Sequence, residues 1–349
     1  MVKAVRNIFQ IEWLCLFKFK LIGGRGVRNL HHICVASHSE VLFRSPEDIN
    51  MAINYLALTA LNTNSHILAD ALMSNHIHLI VMTENPEEFS RRFRIHYVKY
   101  FNHKYSRHGS LGEQGAFSLK IEGDRHAVAA ISYVLRNGLH HGQAATAFAY
   151  KYTSIKEYFT EQMGFERYHG SILNSSEMRK ALKKWHNVPD HYVMSSEGVF
   201  LRHSFEEITL VEMLYVSAKS FQFYTRGNTE NMWAKDQEND NTGKPIELSS
   251  IEDPRVYKSE DLFINERRRF DQKKMDDFQV CHLIDSILLK KFKVSSIYVL
   301  WESAKEDIFK DLIYNYCISG KRAQRCLGGW LPSWYVPQDT NKRIEERSE

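Results

Sequence analysis

Ser74-Asn75-His76-Ile77-His78-Leu79-Ile80-Val81 is the stretch whose reading decides the fold. It is a β-prone apolar run with a turn dipeptide, Ser74-Asn75, at its start. Successive side chains of a strand alternate faces. His76 and His78 therefore share one face, while Ile77 points into the core on the other. Two imidazoles on one face of a rigid strand are part of a metal site. A His-x-His pair also occurs without function, so its meaning depends on what the flanking chain brings to it.

Upstream, His31-His32-Ile33-Cys34-Val35-Ala36 reads as a short strand. Ser45-Pro46-Glu47-Asp48 is a helix start, with Ser at the cap and Pro at the first position. Met51 to Leu61 continues at helical spacing. Asn62-Thr63-Asn64-Ser65 is a turn cluster, and His66 to Leu72 a second strand. Downstream, Asn85-Pro86-Glu87-Glu88 opens a helix expected over 87–106. Arg91, Arg92, Arg94, His96, Lys99, His103, Lys104 and Arg107 make that segment basic. Phe93, Tyr97, Tyr100, Phe101 and Tyr105 interleave aromatics. Such a helix either buries an aromatic stripe and solvates a basic one, or tracks a phosphate backbone and stacks bases. Glycine-rich 108–115 is a loop, Ala116 to Ile121 a strand, and a helix is expected over 125–141 with Asp124 as its cap. The element order is that of a ferredoxin-like split βαβ unit. It predicts an α+β fold with an antiparallel sheet, two helices on one face, and the other face open to a site.

That last helix contains Tyr133-Val134-Leu135-Arg136-Asn137. Tyr133 and Asn137 are four residues apart and share a helical face. A tyrosine hydroxyl is a potential covalent nucleophile, and an amide oxygen is a hard ligand suited to Mg2+ or Mn2+. Met73-Ser74-Asn75-His76-Ile77-His78, then Tyr133 with Asn137, then Tyr150-Lys151-Tyr152-Thr153-Ser154-Ile155 together resemble the HUH single-tyrosine (Y1) transposases. More narrowly they resemble the REP-associated tyrosine transposases of the IS200-like superfamily. The resemblance spans roughly residues 29–160. The chain departs from the family pattern in having Ser74 and Gly138 where proline is usual, and neither departure touches the four polar positions.

The resemblance implies an HUH endonuclease palm in which His76, His78 and Asn137 hold one Mg2+ or Mn2+. It implies Tyr133 as the nucleophile that cleaves and rejoins single-stranded DNA bearing a hairpin, through a 5′-phosphotyrosine, in a cytoplasmic protein. A monomer is favoured, with a dimer as the other arrangement. Binding without catalysis, as in a repressor of its own element, is the competing reading, and a rolling-circle initiator a weaker one. Glu122 and Asp124 are secondary candidates for a metal or base role. His96, His103, His108, His126, His140 and His141 are expected at the surface or facing DNA rather than as ligands, with the last two the first to test.

The 349 residues suggest a Y1-like domain over 29–165 followed by a mainly helical region. Residues 1–28 read as a poorly ordered extension, 166–225 as helical, 226–260 as a polar linker, 261–335 as helical and 336–349 as a tail. The net charge of +4 permits nucleic-acid binding without demanding it. The five cysteines form no CxxC pair, against a zinc ribbon or disulfide framework. No stretch is clean enough to span a membrane. Ser175 to Trp185 reads as a short basic helix, and Ser204-Phe205-Glu206-Glu207 as a capping box before a helix over 211–223. Arg267-Arg268-Arg269 and Lys290-Lys291-Phe292-Lys293 are basic clusters. A helix from Glu302 to Cys317, a turn at Gly320 and the segment Lys321–Gly328 outline a helix-turn-helix. That outline would set Arg322 and Arg325 against DNA, beside the basic set Arg91, Arg92, Arg94, Lys99, Lys104 and Arg107.

Overall fold

Every residue of β3 (His76–Thr83) is buried, on both faces of the sheet. Such a strand needs a neighbour on each edge and a layer on each side. The computed structural model describes residues 28–37, 39–112, 115–182, 187–226 and 275–335. In it β3 pairs with β1 (Asn29–Ala36) on one side and β2 (His66–Met73) on the other. β4 (Phe117–Ile121) adds to the far edge of β1. The order is β2-β3-β1-β4 with every pair antiparallel, the ferredoxin-like arrangement that the element order predicted.

Two layers cover the sheet. Ile33, Val35, Ile77, Leu79 and Val81 point to the side filled by α1 (Pro46–Asn62) and α2 (Pro86–Tyr105). Leu30, Ile80 and Met82 point to the side covered by α3 (Asp124–Leu135), through Ala127, Ala130, Ile131 and Val134. By strand alternation the second side also carries His76, His78 and His32. The expectation of two helices on one face is thus met. The site face is closed by α3 rather than open.

α2 forms where the sequence placed it. Asn85 accepts a hydrogen bond from the Glu88 amide at 2.9 Å, and Pro86 opens the first turn. Its apolar stripe, Phe89, Phe93, Tyr97, Phe101 and Tyr105, is buried at four-residue spacing. Tyr100 and Tyr105 donate their hydroxyls to the buried Asp48 carboxylate at 3.1 and 2.8 Å. Asp48 also accepts from the amides of Arg44 and Ser45 and pairs with Lys104 at 2.7 Å. Every lone pair of this buried anion is thereby used, which is what permits its burial.

The free edge of β2 is covered by later chain. The Leu72 amide donates to the Tyr152 carbonyl at 2.8 Å, the Asp70 amide to Ser154 Oγ at 3.0 Å, and the Glu207 amide to the Ile67 carbonyl at 2.8 Å. The Tyr150–Ile155 segment thus closes an edge that would otherwise be exposed for pairing. Gly138 follows from the same packing. The Tyr150 ring occupies the space a Cβ at 138 would need, so neither alanine nor proline fits.

Several boundaries differ from the sequence reading. The tyrosine helix stops at Leu135, and Arg136 leads into a short α4 (Asn137–His140). Its N-cap position is Gly123 at φ 80°, and Asp124 is the first helical residue rather than the cap. The segment after α5 (Ser175–Leu182) carries two helices where one was expected, α6 (Ile208–Tyr215) and α7 (Ala218–Arg226). They are split at Val216, φ 67°. No side-chain cap forms at Glu207, whose carboxylate lies 2.7 Å from His66 Nδ1 instead. Expectations for 1–27, Lys183, Lys184, 227–260, Arg267, Arg268, Arg269 and 336–349 lie outside the described residues. Among the described residues no helix is long and apolar enough to cross a membrane.

Residues 275–335 gather around a cluster of their own that includes Val41 of the β1–α1 connection. It contains α8 (Asp277–Ser286), α9 (Glu302–Lys310), a π-helical turn at Asp311–Asn315 and α10 (Gly320–Cys326). Two buried polar ties hold it to the sheet domain. Arg44 makes a two-pronged contact with Asp285 and donates to the Cys326 carbonyl at 2.7 Å. Asp277 accepts from Ser74 Oγ at 2.7 Å and pairs with Arg322 and Arg325. Ser74, where the resembling family has proline, is therefore a tether between the histidine strand and α8.

This corrects the helix-turn-helix reading. α10 has only seven residues, Arg322 is 5% exposed, and both arginines are spent on Asp277. They anchor α10 internally instead of presenting a recognition face. Asp277→Ala would leave two guanidinium groups without their shared carboxylate, one of them buried. The expected loss is about 3–5 kcal/mol in chemical denaturation. Burial pushes the Asp277 carboxyl up, but Arg325 and Arg322 pull it down by more, to below the usual carboxylate value. A depressed folded value contributes stability above the unfolded pKa of about 4 and loses it as pH falls through the folded value. Stability of the wild type should therefore fall on acidification below about pH 4, and Asp277→Asn should flatten that slope.

Candidate metal centre

The strand register sets the first two ligands. His76 lies opposite Ala36 and His78 opposite Cys34 across β1, and opposite Met73 and Ala71 across β2. Small partners at Ala36 and Ala71 leave room above the sheet for two imidazoles. Their ring centroids are 5.0 Å apart. α4 then brings a third imidazole, that of His141, to 4.7 Å from the His76 ring. One ring nitrogen from each of His76, His78 and His141 lies within 4.8 Å of the others, and all three residues are buried.

Hydrogen bonds fix which nitrogens face inward. The Asn75 amide nitrogen donates to the Ser37 carbonyl at 3.3 Å, which turns Asn75 Oδ1 toward His76. His76 Nδ1 donates to that oxygen at 2.9 Å. Its Nε2 lies 3.0 Å from Asn137 Oδ1, which brings that oxygen to the same cluster. On the next ring, His78 Nδ1 is 2.9 Å from His32 Nε2. His78 Nε2 and His141 Nε2 are buried with no hydrogen-bond partner among the described residues.

Burial pushes the His78 and His141 imidazoles well below the ordinary histidine value, and the neighbouring histidines add to the shift. Both are therefore neutral, the form that ligates metal. Buried polar nitrogens left without a hydrogen-bond partner, as at His78 Nε2 and His141 Nε2 among the described residues, are costly in an apolar interior. A divalent cation removes that cost, so the donor set fits one: His76, His78 and His141 with Asn137 beside them.

Tyr133 closes the site from above. It is 1% exposed. Its ring meets His78 edge-on at 5.4 Å between centroids and His32 at 5.8 Å. The Tyr133 ring is held by α3 packing on the sheet, and Ser132 beside it is tied to the Tyr215 hydroxyl at 2.7 Å. Tyrosine and histidines belong to one chain.

The structure thus brings together His76, His78, Asn137 and Tyr133, the four positions singled out in the sequence. It adds His141 and His32, which sequence reasoning did not place at the site. His141 follows Asn137 by four residues, one helical turn, and that spacing is the signal that could have found it. His32 carried no signal of its own, because only the β1–β3 register shows that it shares a face with His78.

The basic set does not converge on this site. α2 lies on the opposite side of the sheet from the histidines. Lys104 is paired with Asp48, and Arg107 with Glu40 at 2.6 Å. Arg94 donates to the Leu111 carbonyl. Arg91 and Arg92 are exposed and pair with Glu88 on the helix surface, and Lys99 is exposed.

No family model matches the sequence, and comparison with curated proteins returns no match. Among solved structures, the chain is similar to a REP-associated tyrosine transposase bound to a REP hairpin. The identity is 11% and the TM-score 0.33, over 43% of this chain and 92% of that one.

Proposed function

We propose that this protein is a metal-dependent transesterase acting on single-stranded DNA, of the HUH single-tyrosine kind. The observation that carries the reading is one buried cluster, His76, His78 and His141 with Asn137, lying under the ring of Tyr133 of the same chain. Neither half has an obvious structural use. Three converging buried imidazoles do not stabilise a core, and a tyrosine placed over them is in position to act as a nucleophile. The resemblance in sequence supports the same assignment.

A divalent ion bound by these residues would withdraw charge from a scissile phosphate. His76, His78 and His141 would hold it, with Asn137 as a further oxygen donor. Tyr133 supplies the attacking oxygen. Its phenolic proton passes to solvent, the bond from the Tyr133 oxygen to phosphorus forms, the bond from phosphorus to the 3′ oxygen breaks, and the released 3′ oxygen takes up a proton to become a hydroxyl. Because the phosphodiester energy is kept in the tyrosyl ester, rejoining is the same step reversed. Asn75 orients His76, and α3 sets the height of the tyrosine above the sheet. At 1% exposure Tyr133 is reached by a strand only when the α3–α4 segment parts from the sheet, and the helix break at Arg136 is where such a movement would pivot.

Three imidazoles suit Mn2+ and other transition ions, whereas Mg2+ prefers an all-oxygen shell. Mn2+ is therefore favoured within the expected pair. One tyrosine facing its own chain's histidines favours a monomer. Of the basic residues, Arg91, Arg92 and Lys99 keep exposed side chains and are the ones that would track phosphates beyond the site. The test is incubation with an end-labelled hairpin oligonucleotide library in Mn2+. A labelled protein–DNA adduct that resists denaturation supports the reading. Binding without any adduct, in Mn2+ as in other divalent ions, would leave a DNA-binding protein without catalysis.

A further inference from the structure

His32 is fully buried on β1, and the chemistry proposed for the site does not use it. Its Nε2 lies 2.9 Å from His78 Nδ1, and the two rings stack at 5.1 Å with 25° between their planes. A buried imidazole pair at this distance shares one proton. Either His78 Nδ1–H donates to His32 Nε2, or His32 Nε2–H donates to His78 Nδ1. The choice decides what His78 presents to the site. In the first case His78 Nε2 is a lone pair facing His76 and His141. In the second it is an N–H aimed at those rings, and it cannot ligate.

The surroundings select the first case. His78 Nε2 is buried with no acceptor among the described residues. With an ion between His76, His78 and His141 that nitrogen has to present a lone pair, so the ring proton sits on Nδ1 and His32 Nε2 accepts it. The backbone enforces the pairing. β1 and β3 are in antiparallel register, with Cys34 opposite His78 and His32 opposite Ile80. His32 is thus the diagonal neighbour of His78 on the same face, within reach of a long side chain.

We propose that His32 is a positioning residue for the metal centre: by accepting the His78 Nδ1 proton it sets the tautomer and ring plane in which His78 Nε2 can bind the ion. Outer-shell acceptors of this kind are ordinarily carboxylates or carbonyls. A neutral imidazole does the same work without adding negative charge, so the bound ion keeps more of its positive charge for a phosphate substrate. The inference rests on the metal reading of His76, His78 and His141 given above.

Titration of the metal-free full-length protein with Co2+ and Mn2+, followed by calorimetry and by the visible Co2+ absorption, tests both layers separately. His32→Phe keeps the ring shape and removes the acceptor. His32→Gln keeps an acceptor oxygen on a flexible stem. The wild type should bind one ion. His32→Phe should bind it about 10- to 100-fold more weakly, with an altered Co2+ spectrum, and His32→Gln should recover most of the loss. Near-ultraviolet circular dichroism of each metal-free variant checks that the core is intact. Wild-type affinity in His32→Phe overturns the role of His32 while leaving the metal centre standing. Absence of Co2+ or Mn2+ binding in the wild type overturns the metal reading itself. If His32→Phe loses its native circular dichroism, the comparison of His32→Gln with the wild type decides, since equal weakening in a folded His32→Gln would show that ring packing and not the acceptor matters.

Discussion

A Tyr133→Phe variant is expected to form no covalent adduct with DNA, a loss of at least about 1,000-fold in cleavage. The expectation follows from what the substitution keeps. Phenylalanine retains the edge contacts with His78 and His32 and the place of the ring between α3 and the sheet. Only the nucleophilic oxygen goes. Mn2+ affinity and binding of an uncleaved hairpin should therefore stay within about twofold. The experiment compares adduct formation on denaturing gels with metal binding by calorimetry, using wild type and variant side by side. An adduct formed by Tyr133→Phe would mean that another residue attacks, and the geometry over the histidines would need a different explanation.

Removing His141 should be nearly as damaging, by a different route. His141→Ala takes away one of three converging imidazole nitrogens, whereas Asn137→Ala removes an oxygen that stands beside them. Imidazole is the stronger donor for Mn2+ and Co2+. Metal binding is expected to weaken more than about 100-fold in His141→Ala and roughly 10-fold in Asn137→Ala, since an imidazole nitrogen is a stronger donor to these ions than an amide oxygen. Calorimetric titration of both variants against the wild type measures the difference. The reverse order would restore the ligand set read from the sequence, with Asn137 as the third donor and His141 as its neighbour.

The distinction between those two residues shows where the sequence stops. His76 and His78 were legible because a strand has a period of two, and any strand carrying His-x-His puts both rings on one side. Tyr133 and Asn137 were legible as a pair at one helical turn. His141 lies one further turn on. A helix continuous over 125–141 leaves it at the surface or facing DNA. In the structure the helix breaks at Arg136 and the second piece turns His141 inward. The Tyr150 ring approaches Gly138 closely, from a segment a dozen residues away, and packs against this second piece.

The basic residues teach the same point from the other side. Lys104, Arg107, Arg322 and Arg325 look alike in sequence to Arg91, Arg92 and Lys99. The difference lies in their partners: Asp48, Glu40 and Asp277 reach them from segments distant in the chain. A charge run says that positive groups are present, but long-range packing decides whether they are spent internally.

The strand and helix periods, the caps at Ser45 and Asn85, and the order of elements were sufficient to specify an α+β fold with the ferredoxin-like strand order. Those features are local, and once the order of strands and helices is set few compact topologies remain. Tertiary structure alone decided that α3 seals the site, that His32 joins it, and that the basic segment near the C-terminus is anchored inward. Each of these depends on which residues meet across register or between layers, a pairing of distant segments that periodicity does not encode.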